Sequence, residues 1–374
     1  MVNFIFEGAR INHAPDFISK YNIELAKKFY DKLSDYEPTP LLSLDSLAEE
    51  LGLSKILVKD ESKRFSLNSF KSIGGLYAIY KVICDAAKRE ELSLNRAERF
   101  AKGMVFVTAT DGNHGRGIAY AANRFHARSV IFMPKGTAET RIKNIEKIPG
   151  AKVIVTDSSY DFTVQMAGQY ADAIGGYLIQ DTAFKGYSKV PGYICTGYCL
   201  MAEEALKQAE DFTHVFLQAG VGSMAASVAA YYKNYMKASP QAIIVEPSAA
   251  PCIYESVKSR KKVPLTVESR FTIMAGLNCQ TPSLDAWEVL RDMPEAYAKI
   301  DDEIARVGMR VFKRYGIVSG ESGAATMGLL YTIMTAPMLE GVRIKLKLNK
   351  DAKVLLFSTE GNTSEDGEQK GYKN

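Results

Sequence analysis

The sequence predicts an α/β protein whose sheets are mainly parallel and twisted, with helices packed on both faces of each sheet. Short runs rich in β-branched residues alternate with longer apolar stretches along most of the chain, which is the rhythm of βαβ units. The length of 374 residues is enough for two or three domains of about 100 to 200 residues each. We therefore expect two domains with a ligand cleft between them.

Eight short runs are predicted as strands, and four stretches between them are long and apolar enough for crossover helices. The strands are Ile56–Lys59, Met104–Thr108, Ser129–Met133, Lys152–Thr156, Tyr177–Ile179, His214–Gln218, Ile243–Glu246 and Lys353–Phe357. The helices lie within Ser69–Lys88, Gly115–Phe125, Thr137–Ile148 and Gly192–Gln208. Ligands of such sheets bind at the carboxyl ends of the strands, so the loops that follow the strands are the first candidates for a site.

Composition and charge argue against several classes of function. The 47 Lys and Arg against 43 Asp and Glu leave a net charge of +4. No long basic run is present, so nucleic acid is not expected as a partner. The N-terminal residues lack the basic and apolar regions of a secretory signal. The uncharged run Val215–Tyr232 is rich in Gly, Ala and Ser, which fits a strand leading into a buried helix better than a membrane span.

The cysteines predict a reduced, cytoplasmic protein. Their number is odd, and they lack the paired CxxC spacing of a zinc site. They are Cys84, Cys195, Cys199, Cys252 and Cys279. We therefore expect no metal, no membrane and a small-molecule partner.

The first segment that could carry chemistry runs from Asn68 to Gly75 and follows a predicted strand. Asn68 or Ser69 could cap the next helix, which places Lys71 in or near its first turn. The positive end of the helix dipole there favours the neutral amine, the form that a Schiff base requires. The alternative is a solvated surface lysine.

The second segment, Thr108–Gly117, lies at the end of a strand and leads into a helix. Its small residues allow a ligand to approach the backbone closely, and Thr110, Asp111 and Asn113 supply polar contacts at the helix N-terminus. The alternative is structural, with Asp111 or Asn113 as a helix cap and His114 packed in the interior.

The third segment, Gln218–Ala225, contains Gly220 and Gly222 at the end of another strand. Their backbone N–H groups, at the start of a helix, would bind a phosphate. The segment also fits the dinucleotide pattern GxGxx[GA], and Glu246 follows about 20 residues later, where a ribose-binding acid belongs. A nicotinamide dehydrogenase therefore stays open as an alternative.

The fourth element is a pair of polar turns. Ser319–Ala324 forms a loop entering a helix from Ala324, and Phe357–Thr363 follows the last strand with Ser358 and Thr359. Together the four elements fit pyridoxal phosphate, which needs an imine-forming lysine, a phosphate site, a partner for its ring oxygen and one for its pyridine nitrogen. A dinucleotide would use only the third element.

Extended motifs in this order resemble the fold type II pyridoxal phosphate enzymes, the group of the serine and threonine dehydratases, and within it the diaminopropionate ammonia-lyases. The motifs are KDES and N-x-FK within Lys59–Lys71, TDGNHGRG at Thr110–Gly117, MPKG at Met133–Gly136, QAGVG at Gln218–Gly222 and SGESGA at Ser319–Ala324. The resemblance runs from about Pro38 to Gly361. It implies a small α/β domain, residues 80–182, inserted into a larger cofactor-binding domain of residues 1–79 and 183–374, and a homodimer. The polar tail 364–374 is expected to be flexible.

The resemblance also implies roles for individual residues. Lys71 would form the imine with the cofactor, and Asn113 would hydrogen-bond the ring oxygen. Ser358 or Thr359 would face the pyridine nitrogen, and the choice between them stays open. The phosphate would be bound by Gly220, Val221, Gly222, Ser223 and Met224.

The expected substrate depends on Asp111. The dehydratases have roughly Ser-x-Gly-Asn in the matching loop, whereas this chain has a carboxylate before Gly112 and Asn113. A buried anion needs a cation or a proton, and a second ammonium at Cβ of the substrate would supply it. By family similarity Asp181 is a second carboxylate at the site, and Thr110 contacts the substrate.

We therefore expect α,β-elimination of 2,3-diaminopropionate to pyruvate and two ammonia. Lys71 is the expected base for the L isomer and Asp111 for the D isomer. The alternatives are a serine or threonine dehydratase, a nicotinamide dehydrogenase and a non-catalytic amino-acid-binding protein. The family similarity also implies that Cys252 and Cys279 lie near each other at the mouth of the site, and a disulfide between them stays open.

Overall fold

The computed structural model describes residues 2–7, 15–110, 112–209 and 211–361. Two sequence predictions lie outside these residues: the roles of Asp111 and the flexible tail 364–374. The described residues contain eleven strands and fourteen α-helices.

The strands are β1 Val2–Phe6, β2 Leu41–Ser43, β3 Lys55–Asp60, β4 Val105–Ala109, β5 Arg128–Met133, β6 Ala151–Val155, β7 Tyr177–Leu178, β8 His214–Gln218, β9 Gln241–Pro247, β10 Ala296–Ile300 and β11 Lys353–Ser358. The helices are α1 Lys20–Tyr30, α2 Asp45–Glu50, α3 Lys71–Ala86, α4 Leu94–Ala101, α5 Asn113–Arg124, α6 Glu139–Glu146, α7 Tyr160–Ile174, α8 Lys189–Ala209, α9 Ser223–Tyr235, α10 Cys252–Ser259, α11 Leu284–Leu290, α12 Asp302–Arg314, α13 Glu321–Thr335 and α14 Glu340–Lys345.

Two sheets organise the described residues. The larger has the order β1-β10-β9-β8-β11-β3-β2, and the smaller has the order β6-β5-β4-β7. Every neighbouring pair is parallel except β1 with β10 and β2 with β3, which are antiparallel. The prediction of an α/β fold with mainly parallel sheets is confirmed.

The interior of the larger sheet is buried on both faces, as expected for parallel strands covered by helices. All five residues of β8 are buried. Val215 and Leu217 join one apolar cluster with residues of α3, α8 and α9, whereas Phe216 joins another with residues of α12 and α13. This alternation shows helices on both faces of the sheet and explains why the three central residues of the strand are all apolar.

All eight predicted strands are present, and each of the four predicted helical stretches contains a helix. The strands β1, β2 and β10 were missed. The antiparallel pairs lie at the two ends of the larger sheet: β1 pairs with β10, both of which were missed, and the missed β2 pairs with β3. The helix expected from Ala324 begins three residues earlier, at Glu321. The uncharged run 215–232 is β8 followed by α9, and no helix of the described residues is long and apolar enough to cross a membrane.

The four strands of the smaller sheet lie between residues 105 and 178, inside the segment predicted as the inserted domain. The proposed boundary between residues 79 and 80 falls within α3, whose residues run from 71 to 86. The division of the chain into domains therefore stays a prediction.

Candidate active site

A cavity of about 260 Å³ lies between the two sheets, where β4, β8 and β11 end. Side chains and backbone from all four predicted elements line it. The predicted site residues at the cavity are Lys71, Thr110, Asn113, Asp181, Gly220, Val221, Gly222, Ser223, Met224 and Thr359. The fold thus brings segments separated by hundreds of residues to one place, as the carboxyl ends of parallel strands commonly do.

Lys71 is the first residue of α3, as predicted. The hydroxyl oxygen of Ser69 accepts a hydrogen bond from the Lys71 backbone N–H at 3.4 Å, and the Lys71 ammonium contacts the Asp181 carboxylate. Burial acts to lower the pKa of the ammonium, but the charge of Asp181, with smaller contributions from Tyr198 and Cys279, raises it above its usual range.

The prediction that Lys71 favours the neutral amine is therefore wrong for this arrangement. A helix terminus carries only about half an elementary charge, whereas Asp181 brings a full opposite charge into direct contact with the ammonium. The nearer and larger charge determines the protonation state.

Asp181 follows β7 and is 5% exposed. Burial acts to raise the pKa of its carboxyl, but Lys71 and His114 hold that pKa below its usual range. The Nε2 of His114 donates to the backbone oxygen of Ile179 at 2.9 Å, because a carbonyl can only accept. Its Nδ1 lies 3.9 Å from the Asp181 carboxylate. Asp181 is therefore a buried anion with basic groups around it.

The predicted phosphate loop lies between β8 and α9, which begins at Ser223. Gly222 has φ +94°, a conformation that favours glycine. A Cβ on Gly220 would lie 2.8 Å from the Cys279 sulfur. The loop thus needs both glycines, and the first-turn N–H groups of α9 provide an anion site at the cavity.

Asn113, the first residue of α5, is hydrogen-bonded to Glu360 at the cavity. Its Nδ2 donates to Oε2 of Glu360 at 2.6 Å, and the backbone N–H of Ser322 donates to Oε1 of Glu360 at 3.1 Å. Glu360 is buried and lines the cavity. The Asn113–Glu360 bond joins the loop after β4 to the turn after β11, and so connects the two sheets.

The structure separates Ser358 from Thr359. The Ser358 hydroxyl is fully buried and donates to the Ser319 hydroxyl at 2.9 Å. Thr359 lines the cavity, and its Oγ1 accepts a hydrogen bond from Nε2 of Gln218 at 2.9 Å. Of the two hydroxyls, only that of Thr359 belongs to the cavity wall.

Buried polar atoms of residues in the cavity wall that have no hydrogen-bond partner among the described residues include the Tyr198 hydroxyl, Oε1 of Gln218, Oδ1 of Asn278 and Oγ of Ser322. The Gln218 amide is oriented by its Nε2, which donates to the Phe357 carbonyl at 2.9 Å. Buried polar groups without partners are costly. A phosphorylated pyridine with a ring oxygen would supply polar partners here, and a lysine at the same cavity would hold it covalently. The residues therefore fit pyridoxal phosphate.

Glu246, the acid that would bind the ribose of a dinucleotide, is not at the cavity. The Glu246 carboxylate accepts the backbone N–H groups of Ile253 and Tyr254 at 2.8 and 2.6 Å, at the start of α10. It is 1% exposed and does not line the cavity. Glu246 therefore stabilises a helix start rather than facing a ligand.

No disulfide joins Cys252 and Cys279. They do lie close to one loop: the Cys252 thiol contacts the Gly220 carbonyl at 3.6 Å, and Cys279 lies against Gly220 as described above. Within the described parts of the chain, no group of three or more His, Cys, Asp or Glu is placed to hold a metal ion.

The cavity-lining side chains that were not predicted from the sequence include Arg141, Tyr198 and Glu360. For Glu360 a signal was present, because it follows Ser358 and Thr359 directly in the polar turn. Arg141 and Tyr198 lie within helices α6 and α8, where nothing in the local pattern distinguishes a cavity residue from a packed or solvated one.

Known proteins are similar to this chain over most of its length. A family model for pyridoxal-phosphate dependent enzymes matches residues 33–345. Diaminopropionate ammonia-lyase of Escherichia coli strain K12 is 44% identical over 92% of this chain and 89% of that protein. The same enzyme of Salmonella typhimurium strain LT2 is 42% identical over 90% of this chain and 88% of that protein. A crystal structure of diaminopropionate ammonia lyase from Escherichia coli, in complex with an aminoacrylate-PLP azomethine reaction intermediate, has a TM-score of 0.90 and 42% identity, and covers 99% of this chain and 96% of that one.

Proposed function

The chain belongs to the family of pyridoxal-phosphate dependent enzymes, and from this premise we propose that it is a diaminopropionate ammonia-lyase. The reaction is the α,β-elimination of 2,3-diaminopropionate to pyruvate and two ammonia, catalysed by a carbon–nitrogen lyase of fold type II. The high identity to enzymes of that name over most of both chains supports the proposal.

Four groups of residues would hold the cofactor. Lys71 would bind it covalently, Asn113 would donate to its ring oxygen, and Thr359 would face its pyridine nitrogen. The phosphate would be bound by the loop and helix start of Gly220, Val221, Gly222, Ser223 and Met224, which line the cavity together. We choose Thr359 over Ser358 because Ser358 points to Ser319. When bound, pyridoxal phosphate makes the Cα proton of an amino acid removable by drawing electron density from Cα.

The observation that carries the substrate assignment is the buried anion Asp181. In the structure it contacts the primary ammonium of Lys71, which identifies the kind of group that this carboxylate accepts. The β-ammonium of diaminopropionate is the same kind of group, with one positive charge and three N–H donors. The hydroxyl of serine or threonine is neutral and would bring no positive charge to this buried anion. Asp181 therefore favours a diamine.

Proton transfer would use the groups that flank the substrate. For the L isomer Lys71 would take the Cα proton, whereas for the D isomer Asp111 would act from the opposite face. Asp181 contacts the Lys71 nitrogen and so is suited to exchange protons with that nitrogen and with the departing ammonia. Thr110, which is buried and lines the cavity, would contact the substrate.

The test of this function is a substrate comparison. Release of ammonia and pyruvate is measured with D- and L-diaminopropionate, serine and threonine at equal concentrations, using wild-type protein and the Lys71→Ala variant. We expect the highest kcat/KM for diaminopropionate and loss of turnover in Lys71→Ala. A higher kcat/KM for serine or threonine would identify a dehydratase. Cofactor binding without turnover of any of these amino acids would identify a binding protein.

We also propose a cytoplasmic homodimer that binds no nucleic acid, with residues 80–182 as an inserted domain. The absence of a disulfide among the five cysteines, all of which are described, supports a reducing compartment. The near-balanced charge supports the absence of a polyanionic partner. Light scattering coupled to size exclusion tests the oligomeric state, and elution as a monomer would contradict the dimer.

A further inference from the structure

Glu360 is a cavity carboxylate to which neither the sequence reasoning nor the proposed reaction assigns a role. It is 8% exposed and follows β11 by two residues. Within the described residues its two carboxylate oxygens contact two neutral donors, Nδ2 of Asn113 at 2.6 Å and the backbone N–H of Ser322 at 3.1 Å. A buried carboxylate without a cation in contact is unusual, so its position calls for an explanation.

The backbone holds this carboxylate in a defined place. Glu360 pairs with Ser69 in an isolated β-bridge, and its carbonyl accepts the backbone N–H of Gly320 at 3.0 Å. Ser69 lies two residues before Lys71, and Gly320 directly precedes α13. The carboxylate is thus fixed relative to the lysine and to the helix start that supplies its second donor.

The Asn113 amide has two ways to lie in its plane, and Glu360 distinguishes between them. When Nδ2 faces the Glu360 carboxylate, one of its N–H groups donates to that carboxylate and the second N–H group can donate to another acceptor. A flipped amide would turn its own oxygen toward a carboxylate oxygen, so that two acceptors would meet. The Glu360 acceptor therefore fixes which end of the amide faces the cavity.

We propose that Glu360 is a positioning residue that fixes the Asn113 amide so that its second N–H is presented to the ring oxygen of pyridoxal phosphate. This inference rests on the proposed function only in its use of that cofactor. It deepens the function by assigning to the pair Asn113 and Glu360 the task that the resemblance gave to Asn113 alone.

The ionisation of Glu360 gives the proposal a spectroscopic consequence. Burial raises the pKa of this carboxyl, and the charge of Glu321 on α13 raises it further, whereas Arg141 on α6 and Ser322 act in the opposite direction without reversing the shift. Loss of the proton at higher pH places a negative charge one amide away from the ring oxygen. The visible absorption of the bound cofactor should therefore contain a pH transition that depends on Glu360.

The experiment measures cofactor binding and the pH dependence of bound-cofactor absorption, without substrate, in wild type, Glu360→Gln, Glu360→Asp, Asn113→Ala and the double variant Asn113→Ala/Glu360→Gln. The matched control is Glu295→Gln, because Glu295 also accepts a backbone N–H, from Ala242 at 2.6 Å, but does not line the cavity. Circular dichroism and thermal melting confirm that each variant is folded.

We expect Glu360→Gln to weaken cofactor binding roughly 10- to 100-fold, the effect of one buried hydrogen bond to a charged group, and to remove the pH transition. Glu360→Asp keeps the titratable acid and should keep the transition. In the Asn113→Ala background the Glu360→Gln change should have no further effect on affinity, since the residue acts through Asn113. Glu295→Gln should match wild type in both measurements.

Additive losses in the double variant would overturn the inference, as would wild-type affinity and pH dependence in folded Glu360→Gln. If Glu360→Gln does not fold, a pH transition absent from Glu360→Asp would overturn it equally. These results are distinct from failure of the proposed function. Wild-type protein that binds pyridoxal phosphate but does not release ammonia from diaminopropionate would contradict that function while leaving the role of Glu360 intact.

Discussion

The change Asp181→Asn tests the substrate assignment most directly. The substitution keeps the shape of the side chain and removes the negative charge that contacts the Lys71 ammonium. If that charge binds the β-ammonium of the substrate, the variant should lose activity toward diaminopropionate far more than toward serine, whose β-substituent is a neutral hydroxyl. The informative quantity is therefore the ratio of the two kcat/KM values.

The size of the effect follows from the surroundings of the carboxylate. A hydrogen bond to a charged group contributes about 1.5–3 kcal/mol, and the 5% exposure of Asp181 limits screening by water. Each 1.36 kcal/mol corresponds to about a factor of ten. We therefore expect kcat/KM for diaminopropionate to fall roughly 10- to 150-fold, and the value for serine, if measurable, to change by less than about fivefold.

Ammonia release under kcat/KM conditions provides the assay, and Asp85→Asn provides the control. Asp85 also pairs with a lysine, Lys189 at 2.8 Å, but its side chain is 35% exposed and does not line the cavity. Equal losses for diaminopropionate and serine in Asp181→Asn would refute the reasoning, because they would indicate a general role in positioning Lys71. An unchanged kcat/KM for diaminopropionate would refute it as well.

Four further substitutions test other parts of the structure. Thr359→Val should weaken cofactor binding about 10-fold or less, the effect of one neutral hydrogen bond. Ser358→Ala should lower the melting temperature with little effect on the cofactor affinity measured by titration. The reverse pattern would indicate that Ser358 faces the pyridine nitrogen. Gly222→Ala should lower the free energy of unfolding by roughly 1 kcal/mol or more, because φ is +94° and left-handed backbone is unfavourable for residues with a Cβ. The same variant should also weaken cofactor binding. Wild-type values in urea unfolding and cofactor titration would contradict this prediction. Burial raises the pKa of Glu246 to about 8 from 4.5, so the folded state binds the proton more tightly, and the free energy of unfolding should fall as pH rises between these values. Urea unfolding at several pH values should show a flatter pH dependence for Glu246→Gln. An unchanged pH dependence would mean that another group causes it.

The sequence predicted the central strands and the loops of the site because these features are local. Parallel strands buried on both faces have a run of apolar residues, as the centre of β8 does, and the glycines just before α9 indicate a close approach of a ligand to the backbone. Strand β2 has only three residues, and its pairing depends on a neighbour that a local pattern does not reveal. The charge states in the site were also hard to predict, because they depend on contacts between residues that are distant in the sequence. The partner of Lys71 is 110 residues away, and that of Asn113 is 247 residues away, so neither the charge state of the lysine nor the orientation of the amide follows from the residues beside them.

The pKa values of two carboxyl groups at one cavity are shifted in opposite directions by their neighbours, and this difference favours different tasks for them. Asp181 lies beside Lys71 and His114, which hold its pKa below the usual range, so it stays an anion and is suited to a cationic substrate group. Glu360 has neutral donors in contact, and burial and the charge of Glu321 raise its pKa, so it retains a proton more readily and is suited to holding an amide beside a ring oxygen. Environments that push the pKa values of paired acids apart are a physical basis for giving them different roles. If Asp181 lay in the environment of Glu360 instead, it would lose the contacts with Lys71 and His114 that hold its pKa low, and the cavity would lose the anion that distinguishes the diamine from serine.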